Sequence, residues 1–432
     1  HIMAFHDDIL DLGDIDILPD QDIFKGLLWH ICKSKEDPIK ALIKATMIFS
    51  YGFGRKISRQ LLCERVKKGY ETAGIDDYEA DPYQIMFDRI LEFHELEDPK
   101  YQNVIKNAIF FRLCEYPNVK IPAEKTPKRL LLNHYIRQWK LNKKQVSKLL
   151  AYTTWSESEK LLLEKTILHR LAQMYNVVVK SLDTFQNGTL AASEKSNWTV
   201  LINKTRERLN KSPKKIGECS TYIRRTRFSL FKIVETKGSW RLDLLTASGC
   251  PLEAVYTNSW FLGILGWILE NQLYRRQDAS IELHASVQLF ESMEKPITMD
   301  QLYLSFVPLK PFDDKVFAAD PDWMKAVVVL FMNNQGITPE PEKAEIMVSN
   351  TWGEVFLETI EFNPDLSRMH QCDLVVKHVK KYTNRQLRLF VYQLAASFDP
   401  DIVSQIKTRY NDLVRKMEKA GPIQKKPYLD RL

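Results

Sequence analysis

The sequence predicts an α+β protein in which an all-helical domain precedes a mixed domain of strands and helices. Apolar residues recur at helical spacing through residues 20–210, and Gly and Pro are sparse within these segments. After the segment NKSPKK, residues 210–215, apolar and polar residues alternate as they do in strands. We therefore predict an all-helical domain over 4–212, an α+β domain over 213–420 and a tail over 421–432.

Local start signals support the helical domain. Asp37 followed by Pro38 is an N-cap with proline at the first helical position, and a glycine ends the apolar pattern that follows. Ser156 and Glu159 form a capping box ahead of a long helix that we expect to reach residue 185. Further helices are predicted at 56–68, 83–97, 99–115, 127–139 and 142–152.

Strand patterns dominate the second domain. The segments RFSLFKIVE and SWRLDLL, joined by Lys237-Gly238, predict a hairpin. Strict alternation places Phe228 and Phe231 on opposite faces of the first strand, and we expect both rings in the core. SWFLGILGWILENQLY predicts a buried helix. Further strands are predicted at KAVVVLFMNN, AEIMVS and WGEVFLETIEF, and further helices at 286–293, 370–381 and 399–418.

Composition is that of a soluble, cytoplasmic protein. The longest apolar run, residues 260–269, is too short for a bilayer span, which needs about 20 residues. None of the six cysteines forms a C-x-x-C pair, so we expect reduced thiols and no zinc site. The leading His1-Ile2-Met3 resembles a cloning remnant, and we expect the chain to be part of a longer protein.

Positive charge is concentrated in one window. Residues 204–232 hold ten Lys or Arg against two Glu, whereas the whole chain has a net charge of +7. The window could be an exposed linker, a surface for an anionic ligand or protein, or a nucleic-acid surface. We favour the linker and do not expect nucleic acid. The residues that could contact an anion or a partner are Lys214, Lys215, Arg224, Arg225 and Arg227.

The pair Asp14 and Asp16 resembles the carboxylates that hold Mg²⁺ in nucleotidyltransferases. Such a site also needs an upstream Gly-Ser turn whose amides bind the phosphates, and no Gly-Ser precedes Asp14. We interpret the pair as the approach to a helix, with Asp20 or Asp22 as cap and first-turn acid. The histidines are dispersed, and no P-loop, nucleophile elbow or kinase motif occurs. We predict no catalytic, cofactor-binding or metal-binding residue.

Two segments resemble signatures of the class I adenylate cyclases. The first, DIFKGLLWHICKSKEDPIKALIKATMIFSYG, carries Phe24, Leu28, Trp29, Lys33, Ser34, Pro38, Lys40 and Ala41 in phase with the family pattern. The second, SNTWGEVFLETIEF, carries Asn350, Trp352 and Glu354, but lacks the Arg and His of its family counterpart. A helix at 81–93 also resembles the family. We interpret both signature tryptophans as core residues.

The resemblance implies a function for the parent protein. Class I enzymes convert ATP to cyclic AMP and pyrophosphate with Mg²⁺, using a catalytic domain that precedes the first signature. The chain therefore resembles their non-catalytic helical and C-terminal regulatory portion. The implied partners are the catalytic domain of the same polypeptide and a protein of the sugar phosphotransferase system. Two alternatives stay open: a stand-alone interaction or scaffold protein, and a basic nucleic-acid-binding protein.

Overall fold

A computed structural model describes residues 20–57, 64–65, 68, 81–185, 192–210, 212–291, 295–306, 314–333, 340–383 and 387–419. The chain divides into two compact units. They comprise His1–Leu209 with Ser220–Tyr222, and Asn210–Cys219 with Ile223–Leu432. Helices make up the first unit where it is described and both sheets lie in the second, so the predicted α+β class is confirmed. The domain limits at 212 and 420 stay predictions.

Helices form the first unit where the structure describes it. They are α1 (Asp20–Lys33), α2 (Pro38–Phe53), α3 (Pro82–Leu96), α4 (Gln102–Leu113), α5 (Pro127–Gln138), α6 (Lys143–Leu150), α7 (Glu157–Phe185) and α8 (Ala192–Leu209). Short 3-10 turns occupy Pro99–Tyr101 and Ala151–Thr154. Most of the predicted helix at 56–68 lies outside the described residues.

The predicted caps form, and they explain where helices begin. Asp37 Oδ1 accepts a hydrogen bond of 2.9 Å from the Lys40 N–H, with Pro38 at the first helical position. Ser156 and Glu159 each accept from the other's backbone N–H, as in a capping box. The long α7 helix that follows ends at Phe185, where the sequence predicts its end.

The core of the first unit is built around α2. This helix packs against α1, α3, α4 and α7, and it buries Leu42, Ala45 and Phe49. From α1, Leu27 and Leu28 lie in the same core, which is why the apolar residues of α1 recur at helical spacing.

Nine strands form two sheets in the second unit, as far as it is described. The strands are β1 (Phe228–Thr236), β2 (Ser239–Thr246), β3 (Pro251–Asn258), β4 (Ser280–His284), β5 (Gln288–Phe290), β6 (Trp323–Asn333), β7 (Glu340–Asn350), β8 (Val355–Glu361) and β9 (Arg388–Ala395). One sheet has the order β3-β2-β1-β4 and the other β5-β9-β6-β7-β8. Only the β1–β4 and β6–β9 pairs are parallel among these neighbours.

The helices that follow α8 in the chain are α9 (Thr221–Arg225), α10 (Phe261–Glu270), α11 (Met299–Leu304), α12 (Arg368–Lys380) and α13 (Pro400–Lys419), with a 3-10 turn at Asp314–Ala318. The helices α10 to α13 contact the sheets of the second unit. Every residue of α10 is buried, because this helix contacts β2 and β3 of one sheet and β7 and β8 of the other. The five-stranded sheet is contacted by α12 and α13 and also by α10, which accounts for the run of buried apolar residues in β6.

Two predictions in this unit are wrong. The predicted helix at 286–293 contains strand β5, which pairs with β9, so sheet pairing prevails over a weak helical pattern. Phe228 and Phe231 do not lie on opposite faces. A bulge between Phe228 and Leu230 adds a residue to β1, and the two buried rings lie 5.8 Å apart.

Candidate functional site

A cleft in the second unit is a candidate ligand site. Its volume is about 570 Å³, within the range of small-ligand sites. We call it the Glu358 cleft. Its lining residues are Pro213, Lys214, Lys215, Ile216, Gly217, Tyr256, Asn258, Trp260, Leu357, Glu358, Thr359, His378 and Lys381.

Glu358 organises the cationic side of this cleft. Its Oε1 accepts hydrogen bonds from Lys214 Nζ at 2.6 Å and from the Tyr382 hydroxyl. Its Oε2 lies 3.2 Å from His378 Nδ1 and 3.4 Å from Lys381 Nζ. Burial alone would raise the pKa of this carboxyl, but the hydrogen bonds from Lys214, Tyr382 and His378 outweigh burial and lower the pKa to about 2. Glu358 is therefore ionised at neutral pH.

Lys214 reaches the cleft because its backbone is paired with a strand. The Leu357 N–H donates to Lys214 O, and the Ile216 N–H donates to Val355 O, each at 2.9 Å. The interpretation of the basic window as an exposed linker is therefore wrong for residues 214–216, which extend along β8.

Aromatic residues also line the cleft. The Tyr256 ring stacks on Trp267, with centroids 4.8 Å apart and planes 7° apart. Asn258 Nδ2 donates to the Tyr256 hydroxyl, and Asn258 Oδ1 accepts from the Trp260 N–H. Lys343 Nζ lies 5.1 Å from the centroid of the Trp260 ring. These contacts hold Tyr256 and Trp260 in place in the lining of the cleft.

The second signature lies beside this cleft and is buried. Asn350 closes the β7–β8 turn by accepting from the N–H groups of Trp352 and Glu354, and Gly353 takes a φ of +78° there. The Glu354 carboxylate accepts from Asn350 and forms a 3.0 Å ion pair with the largely buried Lys215. The motif thus fixes the turn and anchors the segment that carries Lys214.

Trp352 is a core residue, as the sequence predicts. Its side chain is only 2% exposed, and its indole N–H donates to the carbonyls of Val316 and Ala319. Its ring also lies near Phe317, with centroids 5.5 Å apart.

Of the five basic residues predicted to contact an anion, the structure brings two to the cleft. Lys214 and Lys215 line it, whereas Arg224 Nη2 donates to Cys219 O at 3.0 Å. Arg225 and Arg227 are exposed and do not line the cleft. Contact of all five with an anionic partner stays a prediction.

Sequence analysis missed the residues that complete the cleft. Glu358, His378, Lys381 and Tyr256 come from β8, α12, the end of α12 and β3, so no local spacing joins them. The one local signal in the sequence is the cluster of positive charge. Of the residues that contact Glu358, this cluster contains Lys214.

The first signature lies in the first unit, where most of its residues are structural. Phe24, Leu28 and Ala41 are buried, and Pro38 starts α2. The Ser34 hydroxyl donates to Ile31 O at 2.6 Å and accepts from Arg208 Nε at 2.9 Å. Lys33 forms an exposed ion pair with Glu36, and Lys40 is exposed.

Trp29 is not a core residue, contrary to the prediction. Its side chain is 49% exposed, and Lys33 Nζ lies 5.3 Å from its ring centroid. It lines a second cleft of about 460 Å³ together with Lys25, Gly26, Asn197, Trp198 and Leu201. On α1 its neighbours one turn away include Lys25 and Lys33, so this face of the helix is too polar to be buried.

Other predictions concern metals, thiols and membranes. Asp14 and Asp16 lie outside the described residues. Within the described residues no group of three or more His, Cys, Asp or Glu could hold a metal ion. Cys32, Cys114, Cys219, Cys250 and Cys372 are free thiols. None of the described helices is both long and apolar enough to cross a membrane.

Comparison with known proteins supports the resemblance over residues 18–219. Residues 18–219 match the family model described as adenylate cyclase, class-I, second domain. Adenylate cyclases of Salmonella typhimurium and Escherichia coli K12 are each 23% identical over 175 residues, which is 40% of this chain and 20% of the relative. That of Yersinia pestis is 28% identical over 107 residues, 24% of this chain and 12% of the relative.

These matches cover a small part of the relatives. The chain covers about a fifth of the length of its enterobacterial relatives. No solved structure gives a significant match. The predicted resemblance to class I adenylate cyclases is thus confirmed over residues 18–219, at low identity.

Proposed function

We propose that this chain is the helical and C-terminal regulatory portion of a class I adenylate cyclase. In this proposal a catalytic domain of the same polypeptide converts ATP to cyclic AMP and pyrophosphate with Mg²⁺. The chain itself forms no cyclic AMP and adjusts the output of that domain. A protein of the sugar phosphotransferase system is the external partner that the resemblance implies.

The observation that carries the proposal is the match of residues 18–219 to the second domain of the family. The first signature lies within that range, on α1 and α2. The second signature lies beyond it, on the β7–β8 turn, in the order that the family shows. The hydrogen bonds of Asn350, Trp352 and Glu354 indicate that the second signature stabilises the fold of the second unit. The Glu358 cleft lies in that unit.

The natural gene provides the first test. The proposal expects a Gly-Ser turn followed by Asp-x-Asp in the sequence encoded upstream of residue 4. A gene without that motif would reject the cyclase assignment and favour a stand-alone interaction protein.

The second test compares two proteins made from that gene. The intact protein and its catalytic part alone are assayed for cyclic AMP, with and without extracts of energy-starved cells as a source of effectors. We expect only the intact protein to respond, and an intact protein with both catalytic aspartates replaced by Asn to be inactive. Equal response of the intact protein and the catalytic part would reject a regulatory role.

A further inference from the structure

We propose that the Glu358 cleft binds a small ligand through a phosphate group, and that Lys214 and Lys381 donate to that phosphate. The proposal concerns binding by this chain alone. It goes beyond the regulatory assignment, and a negative result would leave that assignment standing.

Both lysines have donors to spare. An ammonium group carries three N–H donors, and among the described residues Lys214 Nζ has one hydrogen-bond contact, to Glu358. Lys381 contacts Glu358 and His378, and its side chain is 51% exposed, against 42% for Lys214. The remaining N–H groups are available to a ligand that enters the cleft.

The charge balance of the cleft favours an anion. Its lining holds three lysines and one carboxylate. Glu354 neutralises Lys215, so Lys214 and Lys381 face the single charge of Glu358. Because Glu358 binds both lysines, it also holds their two ammonium groups close together on one side of the cleft.

The same arrangement favours a phosphate over a carboxylate. A ligand carboxylate would only replace the interaction that Glu358 already provides. A phosphate monoester carries a charge of about −1.5 to −2 and three acceptor oxygens, so it can bind both ammonium groups and outweigh the repulsion from Glu358. Lysine is an established point-charge partner of phosphate.

The cleft has room for more than a phosphate. Tyr256 and Trp260 also line it, and contacts to Trp267, Asn258 and Lys343 fix these two side chains. A cleft of about 570 Å³ accommodates a ligand the size of a nucleotide. The phosphate could therefore arrive free or as the ester of a ring-bearing molecule, and the experiment separates these sources.

Calorimetric titration of the intact chain tests the proposal with three probes: inorganic phosphate, AMP and adenosine. We expect phosphate or AMP to bind and adenosine not to bind. Tighter binding of AMP than of phosphate would identify an ester as the ligand, whereas equal binding would identify free phosphate.

Two variants and one control locate the site. Lys214→Gln and Lys381→Gln should each weaken binding by about tenfold or more, since each removes a charge-assisted hydrogen bond. Lys380→Gln removes the same charge from the neighbouring exposed position on α12, which does not line the cleft, and should leave the affinity unchanged. Thermal melts of all three variants check that they fold.

The proposal would be overturned by three results. One is no heat of binding from phosphate or AMP up to about 10 mM, a concentration that would detect even a weak site. Another is adenosine binding as tightly as AMP. The third is unchanged affinity in both folded variants, Lys214→Gln and Lys381→Gln.

Discussion

The two signature segments differ in how they use their tryptophan. Trp352 of the second signature is 2% exposed and donates to two backbone carbonyls, whereas Trp29 of the first is 49% exposed and lines a cleft. The polar partners differ as well. Glu354 forms a buried ion pair with Lys215, and Lys33 forms an exposed one with Glu36.

This difference shows that a match to a family signature does not reveal what a residue does. The turn at Asn350–Glu354 is stabilised by the side chains of the motif itself, so its tryptophan and carboxylate are parts of the fold. On α1 the core is formed by Leu27, Leu28 and Ile31, and Trp29 is left on the surface. Substitutions in the two segments should therefore have unequal effects on stability.

The largest expected effect is that of Trp352→Ala. Truncation of a buried aromatic side chain costs about 3–5 kcal/mol, because it leaves a cavity and here also removes the hydrogen bond that the indole N–H shares between two carbonyls. Urea unfolding followed by circular dichroism measures the loss. A loss below about 1 kcal/mol would show that the second signature is not a core motif, and the comparison would fail.

Breaking the buried ion pair should come next. Glu354→Gln removes the charge of the buried carboxylate that pairs with Lys215 at 3.0 Å, and it should cost about 3 kcal/mol in free energy of unfolding. Its matched control is Glu36→Gln, which removes the exposed partner of Lys33 and should cost less than about 0.5 kcal/mol. Equal losses from the two variants would contradict the contrast between the segments.

Glu345 lies on β7, the strand that leads into the second signature, and it should make the stability of the protein depend on pH. Burial raises the pKa of this carboxyl to about 7, although the N–H groups of Leu262 and Phe261 and the nearby Lys343 act in the opposite direction. A carboxyl whose pKa is raised on folding stabilises the protonated fold. That contribution is complete below the unfolded pKa near 4.5 and is lost as pH rises through about 7.

The expected change in the free energy of unfolding is a few kcal/mol, since each pKa unit corresponds to about 1.4 kcal/mol. Glu345→Gln should remove this dependence, so unfolding free energies of wild type and variant should diverge between about pH 5 and about pH 8. Histidines with lowered pKa values, such as His94, are present in the wild type and in the variant. Their contribution therefore cancels when the two free energies of unfolding are subtracted. A constant difference across that window would show that Glu345 does not titrate there.

The smallest effect should be that of Trp29→Ala. An exposed substitution changes stability by no more than about 0.5 kcal/mol, and the loss of the Lys33 contact lies within that range. Thermal melting beside Trp352→Ala provides the comparison. A large drop in melting temperature for Trp29→Ala would place this side chain in the core after all.

Residues whose neighbours in sequence are also their partners were predicted well. The cap at Asp37, the capping box at Ser156, the end of α7 and the buried α10 all follow from local spacing. Elements that depend on distant pairing were not. The sequence pattern does not predict strands β3, β4 and β9, and it predicts a helix at β5, because the partners of these strands lie elsewhere in the chain.

The candidate site follows the same rule. Clustered charge singled out Lys214, but nothing near it in sequence points to Glu358 or Lys381, which the β8 strand and α12 bring to it. The bulge in β1 is similar, since alternation alone cannot show where a strand gains a residue.

The measurement that tests the central claim most directly is cyclic AMP formation by the purified chain. The chain is supplied with ATP and Mg²⁺, and product is quantified against a blank without protein. If the chain is a regulatory portion that acts on a separate catalytic domain, we expect no cyclic AMP above the blank. Sustained formation of cyclic AMP that is abolished by Asp14→Asn or Asp16→Asn would contradict the account, because it would make this chain the catalyst.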